Sequence, residues 1–323
     1  MLSKRTVLSL CAAALVLFPA CKGRGGADAR QEATVRAFPV VKVPGALTTQ
    51  EEFDSYALSH YWDAFFSGAS APSRTDSLYI GGVENGNFEQ ALANYIQLLW
   101  YNRSSAAASL ESLFGKLESF QQANPSSMMY GRFTEVVSRY LYDPNSPLRD
   151  EDLYGPFVAR MAQSPFTPEG MKPAYGRDAR MCSLNSVGTK AADFTFRDAG
   201  GRDHRLSGIK APLTLLFFSN PGCSACKEII DVLTYNQELD ARVKDGSIAV
   251  VNVYIDEELD EWRAYLSHYP SYWHTGYDPS YSIRRDLVYN VRAIPSLYLL
   301  DSDKTVIMKD APVERVFDYL QTH

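Results

Sequence analysis

The sequence predicts two folded parts: an all-helical N-terminal domain and a C-terminal α/β domain with a central mixed sheet flanked by helices. From Thr48 to about Met181, apolar residues recur every three or four positions, which is the helical period. After Cys182, two uninterrupted apolar runs at 212–219 and 248–255 have the length and composition of buried strands. These strands alternate with helical patterns and end in a hairpin, which indicates a mixed sheet.

The first twenty residues have the pattern of an export leader. Two basic residues precede an apolar stretch that is too short to span a bilayer. The stretch ends at Ala20 and Cys21, and a small residue before cysteine here resembles the lipobox of bacterial lipoproteins. The resemblance implies that Cys21 is lipidated, so we expect a protein of the cell envelope, lipid-anchored and facing the periplasm. Phe18 and Pro19 depart from the usual lipobox, and plain signal-peptide cleavage is the alternative.

The rest of the chain divides by composition into three segments. Residues 21–45 contain glycines and prolines without periodicity and predict a flexible tether. Residues 46–183 predict five or six helices with no nucleophile–base pair, metal-ligand spacing or phosphate loop. Residues 184–323 form the α/β domain. The net charge of −6 argues against nucleic-acid binding, which would require a basic face.

The α/β domain is predicted element by element. A strand is expected at 193–197, another at 212–219 ending in Asn-Pro-Gly, and a helix from Cys223. The remaining elements are a strand at 248–255, a helix with Leu259, Trp262 and Leu266, a helix capped by Asp278, strands at 296–300 and 305–308, and a last helix opened by Pro312.

Two of the five cysteines form a close pair, Cys223 and Cys226, at the start of a predicted helix. A helix N-terminus lowers the pKa of a thiol, because its free N–H groups and partial positive charge stabilise the thiolate. So few cysteines do not make a disulfide-stapled scaffold. A zinc site would need two more ligands at suitable spacing, and the five histidines are scattered, so no metal is expected.

The pair has a second motif downstream, Ile294-Pro295, which leads into a strand and a hairpin. Together with the segment 187–194, this pattern resembles the TlpA/ResA branch of the thioredoxin-like thiol–disulfide oxidoreductases. The resemblance covers about residues 185–323 and implies a redox-active Cys223–Cys226 disulfide without a cofactor. Cys223 would attack a partner disulfide and Cys226 would resolve the mixed disulfide.

The resemblance also implies how substrate binds. A proline matching Pro295 is cis in the family and faces the cysteine pair, and its neighbour Ile294 would present backbone groups to the substrate chain. Isoleucine at that place favours a reducing role. The expected partners are protein disulfides and, by analogy, a membrane electron donor of the DsbD/CcdA type. The helical domain resembles a module of unknown role that precedes thioredoxin-like domains in exported Bacteroidota proteins.

Three positions depart from the family pattern. Gly222 stands where many relatives have tryptophan, and Phe217 stands where thioredoxin has a buried aspartate. Ile229 stands where relatives carry a glutamate, and Glu228 is one residue out of phase. The proton shuttle for Cys226 is therefore not identified; Glu228 is either that base or a complement to the helix dipole.

Several alternatives remain open from sequence. The disulfide could be structural, in a lipoprotein that binds a ligand on a thioredoxin-like scaffold, or the same pair could serve an oxidant or isomerase. Cys182 is either a small buried hydrophobe or a third redox thiol. The acidic tract 256–261 predicts a solvated helix start. The aromatic loop 268–277 either lines a substrate groove or packs on its own domain.

Overall fold

A computed structural model describes residues 35–69 and 78–323 of the chain. The leader and the predicted lipidation site Cys21 lie outside the described residues. In the helical domain the elements, in chain order, are α1 Gln50–His60, α2 Asp63–Ser67, β1 Tyr79–Ile80, β2 Val83–Glu84, α3 Asn85–Tyr101, α4 Arg103–Ala123, α5 Met129–Tyr142, α6 Glu151–Gln163 and α7 Lys172–Cys182.

The helical domain is held together by a core rich in aromatic rings. Trp62, Phe65, Phe88 and Phe133 are almost fully buried and contact one another, with ring centroids 5.1–6.5 Å apart. Aromatic side chains bury large areas at low entropic cost, so the high aromatic content stabilises this core. The hairpin β1–β2 was not predicted; it is very short and turns at two glycines with positive φ, Gly81 and Gly82.

The α/β domain contains a seven-stranded sheet and five helices. Its elements are β3 Thr195–Asp198, β4 Asp203–Arg205, β5 Leu213–Phe218, α8 Ser224–Tyr235, α9 Gln237–Lys244, β6 Ile248–Tyr254, α10 Leu259–Tyr265, β7 His274–Tyr277, α11 Ser282–Arg285, β8 Ser296–Leu300, β9 Val306–Met308 and α12 Val313–Thr322. The strand order is β4-β3-β7-β6-β5-β8-β9. β6 is parallel to β5 and β7, and the other pairings are antiparallel, which makes the sheet mixed as predicted.

Apolar side chains cover both faces of this sheet. One face packs against α8, α9 and α12, and we call its core the redox-side core because it contains Cys226. The other face packs against the segment 191–209, α11 and Tyr289. β5 and β6 are buried on both faces, which explains why their sequences are apolar runs with only one polar residue each, Thr214 and Asn252, apart from the terminal Tyr254.

Three local predictions differ from the structure. β4 and β7 were not predicted, because they are short and contain polar or aromatic residues; β4 is a strand through its pairing with β3, and β7 through its pairing with both β6 and β3. Asp278 does not start a helix. Its carboxylate instead accepts hydrogen bonds from the backbone N–H of Ile283 at 2.8 Å and from the Ser282 hydroxyl, and helix α11 begins three residues later than the proline pattern indicated.

Candidate active site

The cysteine pair lies where β5 leads into α8. β5 ends at Phe218, four residues follow, and Cys223 is the N-cap of α8 with extended backbone angles. The Cys223 Sγ accepts a hydrogen bond from the backbone N–H of Cys226 at 3.1 Å. The helix N-terminus therefore directs a donor at this sulfur, which is the arrangement that stabilises a thiolate.

The two cysteines form a disulfide and differ in exposure. Their Cα atoms are 5.2 Å apart, within the usual range for a disulfide. Cys223 is half-buried, whereas Cys226 is 1% exposed and belongs to the redox-side core. An incoming thiol or disulfide can therefore approach Cys223 and not Cys226, which matches the predicted order of attack and resolution.

The loop before Cys223 is anchored by polar contacts. The Asn220 side-chain amide donates to the Asp256 carboxylate at 2.6 Å, and Arg284 pairs with the same carboxylate at 2.5 Å. Gly222 has φ +72°, and nothing lies within 4 Å of where its Cβ would be. Glycine suits this position, because residues with a side chain disfavour this backbone region.

Pro295 lies at the same edge of the sheet as the cysteine pair. The Ile294–Pro295 peptide bond is cis, as the resemblance implies. Ser296 pairs with Phe218, so the segment before β8 and the segment after β5 are neighbours. Within the described residues, the backbone N–H and C=O of Ile294 have no hydrogen-bond partner, so they are available to a bound chain.

Polar groups that the sequence analysis missed lie in the redox-side core. Asn252 is next to Phe217 in the sheet, and its amide donates to the Ser219 hydroxyl at 2.6 Å. That hydroxyl is 3.2 Å from the hydroxyl of Tyr269, whose pKa is raised by burial. We call these three residues the buried neutral network; Tyr269 and Cys226 share one core. One sequence signal was present, since Asn252 is the only hydrogen-bonding side chain besides a terminal tyrosine in the run 248–254.

The structure bears on two alternatives that the sequence left open: the role of the aromatic loop 268–277 and the role of Glu228. In the aromatic loop 268–277, Tyr269 and Trp273 are both 6% exposed and pack on their own domain in the redox-side core, while the loop also lines a cavity of about 390 Å³, so both features named for it are present. Glu228 is exposed on α8, while its neighbour Ile229 faces the core that contains Cys226. The exposed position of Glu228 does not support its role as the base for Cys226.

Cys182 lies in a different core from Cys226. It is 2% exposed and packs within the helical domain. Burial, together with the nearby Glu151 carboxylate, raises the pKa of its thiol. A thiol that is both buried and hard to ionise is a poor nucleophile, so its environment is that of a small buried hydrophobe.

The helical domain contacts the segment around Pro295 through buried charges. Glu151 accepts a hydrogen bond from Asn290 at 2.7 Å and pairs with Arg292 at 2.8 Å and with Lys309 at 2.9 Å. Arg292 also pairs with Asp310 at 3.0 Å. We call these five residues the interdomain ion network. Because Arg292 and Asn290 come shortly before Pro295, the helical domain fixes the segment that leads to it.

Further hydrogen bonds around Asp310 and Lys309 extend the contact between the two domains. Asp310 accepts a hydrogen bond from Ser296, the residue after Pro295, at 2.7 Å. Arg149 of the α5–α6 loop donates to the backbone carbonyls of Asp310 and Ala311 at 3.0 and 3.2 Å. Lys309 is fully buried and donates to the carbonyl of Cys182 at 2.6 Å. Within this network Arg292 Nη1 has no hydrogen-bond partner among the described residues, and Glu151 Oε2 is compensated by the Lys309 ammonium 2.9 Å away.

The fold and the paired cysteines at a helix N-terminus define a thioredoxin-fold protein. Comparison with known proteins agrees: residues 212–306 match the thioredoxin-like family, and residues 20–172 match a domain of unknown function, DUF5106. The crystal structure of a thioredoxin-like protein from Bacteroides caccae is 32% identical, with a TM-score of 0.75 over 90% of this chain and 100% of that one. The chain therefore belongs to the thioredoxin-like family.

Two further structures match the α/β domain alone. The C-terminal domain of an uncharacterized Bacteroides fragilis protein is 41% identical over 42% of this chain and 98% of that chain, with a TM-score of 0.41. The thioredoxin domain of a thiol-disulfide oxidoreductase from Bacteroides vulgatus is 22% identical over 42% and 96%, with a TM-score of 0.37. No curated protein matches the chain.

Two features, a metal-binding cluster and a membrane-spanning helix, are absent from the described residues. Across residues 35–69 and 78–323, no group of three or more His, Cys, Asp or Glu side chains could hold a metal ion. Over the same part of the chain, none of the helices combines the length and the apolar character needed to cross a bilayer.

Proposed function

We propose that this protein is an exported, membrane-anchored thiol–disulfide oxidoreductase of the TlpA/ResA kind that reduces protein disulfides. One observation carries the proposal: Cys223 is accessible at a helix N-terminus, Cys226 is buried one turn later, and the two are joined in a disulfide. A purely structural disulfide would not require this difference in exposure. The free backbone of Ile294 beside the pair supports a protein chain as substrate.

The proposed reaction consists of two exchanges. In the reduced protein, the Cys223 thiolate attacks one sulfur of the substrate disulfide, a mixed disulfide forms, and the other substrate sulfur leaves as a thiolate. The Cys226 thiolate then attacks the Cys223 sulfur and releases the second substrate thiolate. The protein is left with the Cys223–Cys226 disulfide, and the substrate has gained two electrons. A dithiol donor must reduce the protein again.

The location and the donor are part of the same proposal. We assign the membrane anchor to a lipid on Cys21 and the donor to a membrane protein of the DsbD/CcdA type. The lipobox-like Ala20-Cys21 sequence supports the anchor. Replacing Cys21 with serine should move the protein from the membrane fraction to the soluble fraction, as measured by fractionation and immunoblotting. Unchanged membrane association would contradict the assignment.

A glutathione redox titration tests the function. A reversible two-electron couple near about −270 mV, the value typical of thioredoxin, is the expected result. A couple near roughly −120 mV would reverse the direction of the chemistry and indicate an oxidant. No reversible couple would leave a structural disulfide and a binding protein. Deleting the helical domain is not a suitable test, because it would expose Lys309 and Arg292 without their Glu151 partner.

A further inference from the structure

A cleft of about 570 Å³ runs between the two domains beside the cysteine pair. One wall is the α5–α6 loop of the helical domain, including Pro144 and Pro147. The opposite wall is α8, where Ala225, between the two cysteines in sequence, begins the lining and Val232 continues it. Ile294 and Pro295 form part of the same cleft, so it is continuous with the proposed active site.

The lining of this cleft is mostly apolar and partly open to solvent. Ala225, Ile229 and Val232 follow one another at helical spacing, so they form one stripe along α8 that leads away from Cys223. Val232 is 40% exposed, so its side chain is accessible to a ligand in the cleft. Phe317 of α12 is also part of the lining. Such a surface gains free energy when an apolar side chain covers it.

The charge at the rim of the cleft is unbalanced. The Arg149 guanidinium already donates hydrogen bonds to two backbone carbonyls and lies 3.9 Å from the Asp310 carboxylate. The Glu228 carboxylate has no ion pair or hydrogen bond with any described residue, and Glu314 is exposed at the start of α12. The lining thus carries two carboxylates, Glu228 and Glu314, against one guanidinium, Arg149, which also interacts with Glu314; the negative charge in excess is that of Glu228. A positively charged ligand complements this rim.

The interdomain ion network keeps the two walls in place. The α5–α6 loop ends at Arg149 and Asp150, next to Glu151, which binds the segment before Pro295. Asp150 also pairs with Arg315 of α12 at 3.1 Å. The α5–α6 wall is thus tied to α12 and to the segment before Pro295, so this side of the cleft is in place before a ligand arrives and little ordering of it is required on binding.

We propose that this cleft binds the segment of the substrate polypeptide that adjoins its reactive cysteine, and that it selects segments with an apolar residue and a lysine or arginine. This proposal rests on the proposed function and adds to it a role for the helical domain: the α5–α6 loop is a specificity-determining wall that a thioredoxin-like domain alone lacks.

Three synthetic peptides of equal length test the selection. Each carries one cysteine in a disulfide with 5-thio-2-nitrobenzoate, and the cysteine is flanked by leucine and lysine, by leucine and glutamate, or by serines. The reduced protein attacks the peptide disulfide, coloured thionitrobenzoate leaves, and Cys226 then releases the peptide. We expect the second-order rate constant of this single turnover, the equivalent of kcat/KM, to be about fivefold higher for the leucine–lysine peptide than for the leucine–glutamate peptide, as rim charges commonly produce.

Matched variants assign the preference to the cleft. Glu228→Lys should abolish or invert the lysine preference, while Glu261→Lys, the same change on α10 beside β7, should leave it intact. Val232→Ser should lower kcat/KM for both leucine peptides about threefold. Val43→Ser is its control, because Val43 is exposed to a similar degree, 37% against 40%. Pro147→Ser should have a smaller effect of the same kind.

Free dithionitrobenzoate, which is too small to fill the cleft, separates the two proposals. If, after each peptide rate is divided by the same variant's rate with dithionitrobenzoate, the cleft variants change the ratio between the peptides and the control variants do not, the cleft proposal is supported. If all three peptides react equally, or if the control variants behave like the cleft variants, the cleft proposal is overturned and the proposed function stands. If the reduced protein reacts with neither the peptides nor the small disulfide, both proposals are wrong.

Discussion

The redox end of the α/β domain and the interdomain ion network both bury polar groups, but they bury different kinds. Around the cysteine pair the buried groups are neutral: Asn252, Ser219 and Tyr269. At the interface they are charged, and Glu151 and Lys309 are almost completely excluded from water. Neutral polar groups need only hydrogen-bond partners, whereas buried ions become strongly destabilising when one partner is removed.

This difference separates two tasks. The redox end has to exist with a disulfide and with two thiols, and neutral surroundings place no fixed charge in the core beside Cys226. The ion network has to hold two domains in one geometry, and charge pairs with several partners enforce it. The comparison therefore predicts that changes at the redox end affect chemistry more than stability, and that changes in the ion network do the reverse.

The largest expected effect is on turnover. Cys223→Ser should reduce disulfide reductase activity to background, because no nucleophile remains at the helix N-terminus. Cys226→Ser should instead trap mixed disulfides with natural substrates, which non-reducing gels would reveal as adducts. The double variant is the control. Both single variants should unfold at nearly the same denaturant concentration as the reduced native protein. If Cys226→Ser traps no more adducts than the double variant, the proposed enzymatic role of the cysteine pair is contradicted.

Removing the centre of the ion network should mainly affect stability. Glu151→Ala leaves Lys309 and Arg292 without their shared carboxylate, and we expect a loss of about 3–5 kcal/mol in the free energy of unfolding. Urea unfolding followed by tryptophan fluorescence measures it. Glu135→Ala, an exposed glutamate on α5, is the control. Equal stability of the two variants would mean that the network does not join the domains.

A change in the buried neutral network should cost less. Ser219→Ala removes the partner of the Asn252 amide and of the Tyr269 hydroxyl, so a loss of roughly 1–3 kcal/mol is expected from unpaired buried groups. Ser302→Ala, in the exposed turn before β9, controls for the loss of a hydroxyl. Stopped-flow kinetics at several pH values would measure the rate of the second exchange step in Ser219→Ala. A shift in the pH dependence of that rate would show that the buried neutral network takes part in proton transfer involving Cys226.

Alkylation compares the cysteines directly. In the reduced native protein at pH 8, iodoacetamide should modify Cys223, while Cys182 should react only after unfolding, because burial raises its pKa and blocks access. Peptide mass spectrometry assigns the labelled residue. Cys182→Ala should lower stability by only ~1 kcal/mol and leave turnover unchanged. Rapid labelling of native Cys182 would reopen its role as a third redox thiol.

The smallest expected effect depends on pH. Burial raises the pKa of Asp152, whose carboxylate accepts the backbone N–H of Val187 at 3.3 Å. A carboxyl with a raised pKa in the folded state destabilises the protein above that pKa, and the penalty vanishes as the pH falls below the unfolded value of 3.8. Asp152→Asn should therefore raise the melting temperature at pH 7 by no more than about 2 °C.

The gain from Asp152→Asn should disappear below the unfolded pKa. Asp318→Asn, an exposed aspartate on α12, serves as the control at each pH. A gain that persists at low pH would show that the carboxyl charge is not its cause.

The fold was largely predictable because its signals are local. The apolar runs became β5 and β6, and Cys223 caps α8 as its position indicated. β4 was not predicted because it has only three residues and all are polar, and β7 because its strand character depends on pairing with β6 and with β3, which is distant from it in sequence. The redox pair and Pro295 were identified from motifs, and their positions at one sheet edge follow from the pairing of Phe218 with Ser296.

The interdomain ion network and the cleft beside α8 could not be predicted from the sequence, because each is built from residues that are distant in the chain. Asn290 and Glu151 are 139 residues apart, and neither stands in a pattern that reveals a partner. The α5–α6 loop has the composition of an ordinary turn, and only the packing of the two domains brings it beside α8. Contacts of this kind depend on how domains meet, which local periodicity does not encode.

The positive φ of Gly222 has a consequence for chemical synthesis. A backbone at φ +72° suits a residue of inverted chirality, and the space around the missing Cβ is empty. A D-amino acid should therefore be accepted at position 222, where an L-residue is strained. Semisynthesis could install a D-residue bearing a photoreactive group directly beside Cys223. Irradiation would then crosslink the proteins that approach this sulfur in the cell, including those that dissociate before any disulfide forms.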